Sequence, residues 1–377
     1  MARLSLEQLD ELKQRYNVDR IWSYSRLNTY VDQKWVYRMT YLEDVRIRTD
    51  NVYTKFGTIC HDLVQSVYEH DADPKTLLGK FKDEVMSWQL KDDPTYHFSS
   101  EKIQRGYIDN LSHYFENIKT LPYELIIEKP VKIHFKHKEK NIVFVGYIDG
   151  MYWDEEGNLH ILDFKTSSKS GYSGKQLKEH SKQLMLYSIG IMQTLKASGK
   201  DILYENIKPR FDMMKYVTVK RLQKNGKWTS SLQERVNWVE SQQKQIRKML
   251  LECDVDPLDI DSMIVLAVAD NTLDTLPQYV QDRFIIEQGY IDVEFNEEVA
   301  KEVEEWAVKN IVECEEKEKG DWDVEFSEPV IDESNEFYFT VLAKQVLPYH
   351  KGWQEQQQLK AANGTDVDLD ELEALFA

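Results

Sequence analysis

Cysteine is scarce, with three in 377 residues, Cys60, Cys253 and Cys314, far apart and in no CxxC pattern. That count excludes a disulfide framework and a cysteine-rich metal site, because an iron-sulfur cluster usually asks for four thiolates. Long apolar runs are missing too. No stretch approaches the roughly 20 apolar residues of a membrane span, and the start, MARLSLEQLDELKQRY, has no signal-peptide core. A soluble cytoplasmic protein with no membrane partner is expected. There is no GxxxxGK[S/T] phosphate loop, so the chain carries no P-loop motor.

Positive charge is also in short supply: 48 basic residues stand against 66 acidic, a net charge of −18. Taken whole, this argues against a polyanionic partner, since neutralisation of phosphates by Lys and Arg dominates such binding. The distribution reverses the impression. From Glu252 onward there are 33 acidic and 8 basic residues, which leaves 40 basic and 33 acidic before it, a basic body with an acidic rear. Between Lys208 and Lys227, seven basic residues face one acidic residue, Asp212, with Tyr216 and Trp228 nearby. A strand-binding groove has this make-up, and Lys208, Arg210, Lys215, Lys220 and Arg221 are its candidate DNA contacts. A solvated loop or hairpin face is the plainer alternative.

The hydrophobic period orders the rest. Ser5-Leu6-Glu7-Gln8 fits a capping box ahead of a helix, further helices are expected from near Ser25 and from Phe56 to about Glu69, and the first third is mainly helical. From Ile126 the period becomes two, through IIEKPVKIHF, IVFVGYIDGMYW and LHILDFK, which predicts strands. Helical spacing returns over Lys175 to about Leu195, Ser231 to Leu251 and Asn296 to Glu316. Helices around a small sheet make an α/β fold. Residues 1–352 read as one domain with its core over about 54–220, 353–366 as a linker, and 367–377 as an acidic amphipathic tail.

The segment that points to chemistry is Gly146-Tyr-Ile-Asp149-Gly, then the turn residues DEEGN, then Ile161-Leu-Asp163-Phe-Lys165. A symmetric hairpin centred on Glu156 sets Asp149 opposite Asp163. Directly opposed residues on antiparallel strands have Cβ atoms about 4.5–5.5 Å apart, and like charges there are destabilising. A hard divalent cation, Mg2+ or Mn2+, compensates such a pair. Lys165, two residues from Asp163, emerges on the same face, where an ammonium can orient water and stabilise charge on a reacting phosphate.

GYIDG, ILDFKTSSK and Gln183-Leu-Met-Leu-Tyr187 together resemble the nuclease domain of RecB and AddB in the PD-(D/E)xK superfamily, whose pattern is GxxD, (D/E)xK and QxxxY. FGTICHDLVQ resembles that family's upstream helix, and the resemblance runs from Ser23 to about Trp353. It implies a restriction-endonuclease-like core, a small mixed sheet flanked by helices, with helical additions at both ends. It also implies a metal-dependent DNA nuclease, more an exonuclease than a sequence-specific cutter, acting in recombination, repair or phage DNA metabolism, and hence in the host cytoplasm if phage-encoded. His61, Asp149, Asp163 and the Phe164 carbonyl become metal ligands, with Glu128 as an additional acidic residue. Lys165 becomes the catalytic lysine, and Gln183 and Tyr187 a polar pair facing the active site or the DNA. Many members hold an iron-sulfur cluster after SxSxLxxYxxC and in a late cysteine-rich stretch. Here SYSRLNTYVDQ puts Gln33 at the first cysteine, and Phe339, Ala343 and Tyr349 stand at later ones. No iron-sulfur cluster is expected, and Ser23, Ser25, Leu27 and Tyr30 are read as a clamp made by packing instead. A DNA-end or recombination-partner binding module of the same fold without turnover is the competing reading; the complete Asp, Asp, Lys set speaks against it. The tail, Asp366 to Ala377, loosely resembles peptides that bind a sliding clamp or those ending single-strand binding proteins, which implies a replication or recombination protein as partner.

Overall fold

The computed structural model describes residues 3–46, 51–91, 93, 96–253, 255–329 and 349–362. The opening helix α1 (Leu6–Tyr16) starts where Ser5 accepts from the Gln8 N–H while the Gln8 side chain accepts from the Ser5 N–H. Helix α2 (Tyr24–Asp32) is capped by Ser23, and α3 (Lys34–Tyr37) runs into a π-helical turn over Arg38–Leu42. Helix α4 (Val52–Tyr68) begins four residues ahead of Phe56, because Asn51 accepts from the Tyr53 and Thr54 N–H groups and supplies the cap. Helices α5 (Leu77–Lys91) and α6 (Glu101–Glu116) complete the first third.

A six-stranded mixed sheet follows. Strands β1 (Ile126–His137), β2 (Lys140–Trp153) and β3 (Leu159–Lys165) form an antiparallel meander. β3 then pairs in parallel with β4 (Ile207–Leu222) across a connection containing α7 (Gly174–His180) and α8 (Lys182–Ala197). Strands β5 (Trp228–Glu234) and β6 (Phe284–Asp292) both lie antiparallel to β4. β3 covers residues 207–213 of β4, and β5 covers 216–222 on the same edge, so they meet end to end beside its middle.

The helix expected from Ser231 is corrected: that stretch is β5, and α9 (Trp238–Leu250) starts only after a turn at Arg235–Asn237. The cause is the turn at Gly226, whose φ of 76° suits glycine and folds the chain back onto β4. Helices α10 (Pro257–Asp270) and α11 (Gln278–Gln281) precede β6, and α12 (Glu297–Lys317) and α13 (Trp322–Glu325) follow it. The stretch read as a linker from Trp353 is helical up to Ala362, within α14 (Lys351–Ala362), a run rich in good helix formers. The acidic tail, Phe339 and Ala343 lie outside the described residues, while the Tyr349 hydroxyl donates to the Arg46 carbonyl at 3.3 Å.

Strand period two sorts side chains between two cores. Leu159, Ile161 and Phe211 pack under α2, α8 and α12, whereas Leu162, Phe164 and Met214 pack under α4, α5 and α6. A third cluster joins Val217, Val219 and Phe284 to α9 and α10. This mostly antiparallel sheet between helical layers is the restriction-endonuclease-like arrangement. Leu27 and Tyr30 are buried, and the Tyr30 and Tyr37 rings pack on Phe326. The Tyr30 hydroxyl donates to Glu313 and ties α2 to α12, while Tyr37 of α3 and Arg20 ahead of α2 both donate to Glu318 just past the end of α12. Cys60, Cys314 and Cys253 fall in three separate clusters. Among the described residues no helix is long and apolar enough to cross a membrane.

Candidate active site

The β2–β3 hairpin is closed by Asp154, whose carboxylate accepts from the N–H groups of Glu156 and Asn158. Its register pairs Gly150 with Leu162 and Tyr152 with His160, and one step further sets Asp149 opposite Asp163, as the symmetric hairpin requires. An Asp149 oxygen accepts from the Phe164 N–H at 3.0 Å. Burial, then the neighbouring Asp163 charge and a hydrogen bond shared with it, push the Asp149 carboxyl well above the usual carboxylate range. Asp163 is itself buried, and the Lys165 ammonium lies 2.8 and 2.6 Å from its two oxygens. Burial alone would lower the Lys165 ammonium, but Asp163 and Asp149 outweigh it and the net shift is upward.

His61 reaches the same point from α4, in the opposite layer. Its Nε2 is 2.9 Å from the Phe164 carbonyl, and its Nδ1 is 3.6 Å from Asp149. A carbonyl only accepts, so Nε2 carries the hydrogen in this arrangement. Two carboxylates, a carbonyl and an imidazole thus converge, a mainly oxygen donor set that fits a hard divalent cation. The excess negative charge that raises Asp149 is what such an ion relieves. Among the described residues no three His, Cys, Asp or Glu side chains form a metal cage by themselves. The donors are instead engaged with one another, Asp163 with Lys165 and His61 with Phe164, and the remaining positions would fall to water and phosphate.

Helix α8 supplies Gln183 and Tyr187, four residues apart, with the Gln183 amide donating to the Tyr187 hydroxyl at 3.0 Å. Burial raises the Tyr187 phenol; Gln183 pulls it down, and the nearby Asp163 and Asp149 charges push it up. Gly146 makes room for that ring, since a Cβ there would lie 2.3 Å from the Tyr187 ring. The sequence motif contains this glycine without showing its purpose, because its partner is 41 positions away. Glu128 occupies the place on β1 opposite Asp149, yet it is the one residue between Ile126 and His137 that the ladder skips. Its φ of 49° is costly for a residue with a Cβ, and such strain clusters at functional sites.

The five basic residues of β4 do not share one face. Lys220 pairs with Glu287 at 2.7 Å and Arg210 with Asp292 at 2.9 Å, both lining a cleft of about 840 Å3 with Lys169, Tyr172, Ser230 and Tyr290. Lys208 sits half-buried beside His160, and Arg221 donates to Gln245 on α9. Lys215 is buried, its ammonium 3.4 Å from the centre of the Tyr107 ring, and burial lowers it to about 8. Lys169, the last residue of ILDFKTSSK and given no role by the sequence, donates its ammonium to the Leu232 carbonyl and its backbone N–H to the Tyr216 hydroxyl. It is one lysine among many in sequence, and only the loop after β3 brings it to the cleft.

No curated protein matches the chain. A family model does match, over residues 21–309, from the β-bridge at Trp22 through the hairpin of Asp149 and Asp163 into α12. With most of its length covered and this fold beneath the match, the chain belongs to the PD-(D/E)XK nuclease superfamily.

Proposed function

We propose that the chain is a magnesium- or manganese-dependent deoxyribonuclease of the RecB/AddB-like kind, lacking the iron-sulfur cysteines, and that it works as an exonuclease in DNA recombination, repair or phage DNA metabolism. The observation that carries this reading is the facing pair Asp149 and Asp163, with Lys165 on Asp163 and His61 beside Asp149. In this reading Asp149, Asp163, the Phe164 carbonyl and His61 hold the metal, with Glu128 as a further carboxylate beside them. A divalent ion bound there supplies Lewis acidity toward the phosphodiester and acidifies its water. The Lys165 ammonium, kept charged by two carboxylates, orients the attacking water and donates to the phosphoryl oxygens as charge builds. Tyr187 and Gln183 hold the strand beside it. Lys208, Arg210, Lys215, Lys220 and Arg221 contribute to DNA binding from different faces of β4. The acidic tail serves as a peptide ligand for a replication or recombination protein.

End-labelled linear, circular and single-stranded DNA, each incubated with magnesium, manganese or EDTA, tests the reading. Cleavage is expected with either metal, on linear but not circular DNA, and none in EDTA. Asp163→Ala and Lys165→Ala should each lower the rate at least about a hundredfold while the far-UV spectrum is unchanged. Undiminished activity in excess EDTA or in either variant would falsify the site assignment.

A further inference from the structure

Helix α4 carries His61 into the active site, and its other end holds a feature that the nuclease motifs do not include. Tyr53, Gly57 and His61 are spaced i, i+4, i+8 and so share one face of the helix. Tyr53 is 41% exposed. It stands in ring contact with Phe98 at 5.6 Å and with Tyr107 at 5.3 Å, while Phe98 and Tyr107 are 5.4 Å apart. The three rings, inclined by 44–82° to one another, thus form a cluster with Tyr53 outermost, and its exposed ring is the platform.

Lys215 lies against the Tyr107 ring of that cluster. It makes no ion pair or hydrogen bond among the described residues, and its ammonium is not one of the fully enclosed unpaired atoms. Glu234 is the carboxylate that influences it, from beyond ion-pair distance. Of the five β4 cations named above, Arg210 and Lys220 are already neutralised by carboxylates, whereas the Lys215 ammonium faces the Tyr107 ring. Between platform and active site the helix surface is low, since a Cβ at Gly57 would meet only the Thr166 hydroxyl, at 4.0 Å. The lane from Tyr53 to His61 measures roughly 12 Å along the helix axis.

Resting on the nuclease reading of the site, we propose that the Tyr53, Phe98 and Tyr107 cluster with Lys215 is a subsite for single-stranded DNA. An unpaired base stacks on Tyr53, its phosphate meets Lys215, and the backbone crosses Gly57 toward His61 and Asp149. A duplex gains nothing comparable, because its bases are already stacked on one another. The substrate class is therefore DNA that is single-stranded at the point of entry.

The test measures binding in EDTA, where a metal-dependent site does not turn over, by fluorescence anisotropy of a labelled single-stranded oligodeoxynucleotide and of a blunt duplex of equal length. Tyr53→Ala should weaken single-strand binding about tenfold, as loss of one base stack does. Tyr53→Trp should restore it, and duplex binding should change little. Lys215→Met should lower the slope of log affinity against log salt by about one. Wild-type single-strand affinity in Tyr53→Ala, or equal losses for strand and duplex, overturns the proposal. A wild-type protein that binds strands through Tyr53 but cleaves no DNA with metal would overturn the nuclease reading alone. Tyr53 is exposed, so its variants keep the fold, which circular dichroism verifies.

Discussion

Asp149 and Asp163 crowd each other across facing strands, and burial together with the Asp163 charge raises the Asp149 carboxyl. Lys165 offsets part of it, and both aspartates and the lysine were legible because a single hairpin carries all three. His61 and Tyr187 needed the resemblance, since nothing local ties a histidine on α4 or a tyrosine on α8 to that hairpin. Gly146 shows the limit: its spacing to Asp149 is plain, but only the packed structure shows the Tyr187 ring lying where a side chain would be. Gly146→Ala should destabilise the protein by about 1–3 kcal/mol, the usual cost of overpacking, and lower activity by displacing Tyr187. Tyr187→Ala in the same background should recover stability but not activity. Calorimetry of the single and double variants checks this, and independent, additive losses would count against it.

Lys215 is a second residue held at a cost. Burial lowers its ammonium from the usual 10.5 to about 8, so unfolding takes up a proton between these values. The penalty of keeping a buried charge is complete below pH 8 and falls away as pH rises toward 10.5, giving a stability that increases with pH across that window. At pH 7 Lys215→Met should therefore be more stable than wild type by up to about 3 kcal/mol, and the gap should narrow by pH 10. Urea titrations at pH 7 and pH 10 measure it, and a variant less stable at pH 7 would show that the lysine earns its place structurally.

Among elements, those with a cap and a regular period were read well. Ser5 with Gln8 and the alternation before Trp153 correspond to α1 and to β1–β2 within a few residues. The end of β5, from Ser231, was misread as helix, because Trp228–Glu234 is stabilised by its ladder with β4 rather than by any period of its own. β6 was missed altogether, although it provides Asp292 and Glu287, which neutralise two of the cations assigned to DNA. Pairing between strands far apart in sequence is the information that periodicity lacks. The late side of the clamp expected from Leu27 and Tyr30 lies mostly outside the described residues, and what packs on Tyr30 and Tyr37 is a residue that was not foreseen, the buried Phe326. Phe326→Ala should cost about 3–5 kcal/mol and raise amide exchange in α2 ahead of β2. Exchange rising uniformly throughout the molecule would mean that α2 does not depend on this contact.

At the scale of the whole molecule, charge is divided along the chain, and the final residues extend the division. Asp366 to Ala377 contribute five carboxylates and no cation, so near DNA the segment repels phosphate and cannot add to binding. Its apolar residues Leu369, Leu372, Leu375 and Phe376 recur at helical spacing, yet about three turns alone are marginal in water. We propose that a partner surface takes up this apolar face. Removing residues 366–377 should leave cleavage of naked DNA within about twofold of the full chain, because the tail adds no favourable phosphate contact, and should reduce recovery of a replication or recombination protein in a pull-down. Equal recovery by both forms would mean that the tail is no ligand, and a truncated protein that melts earlier would mean that it docks on its own domain.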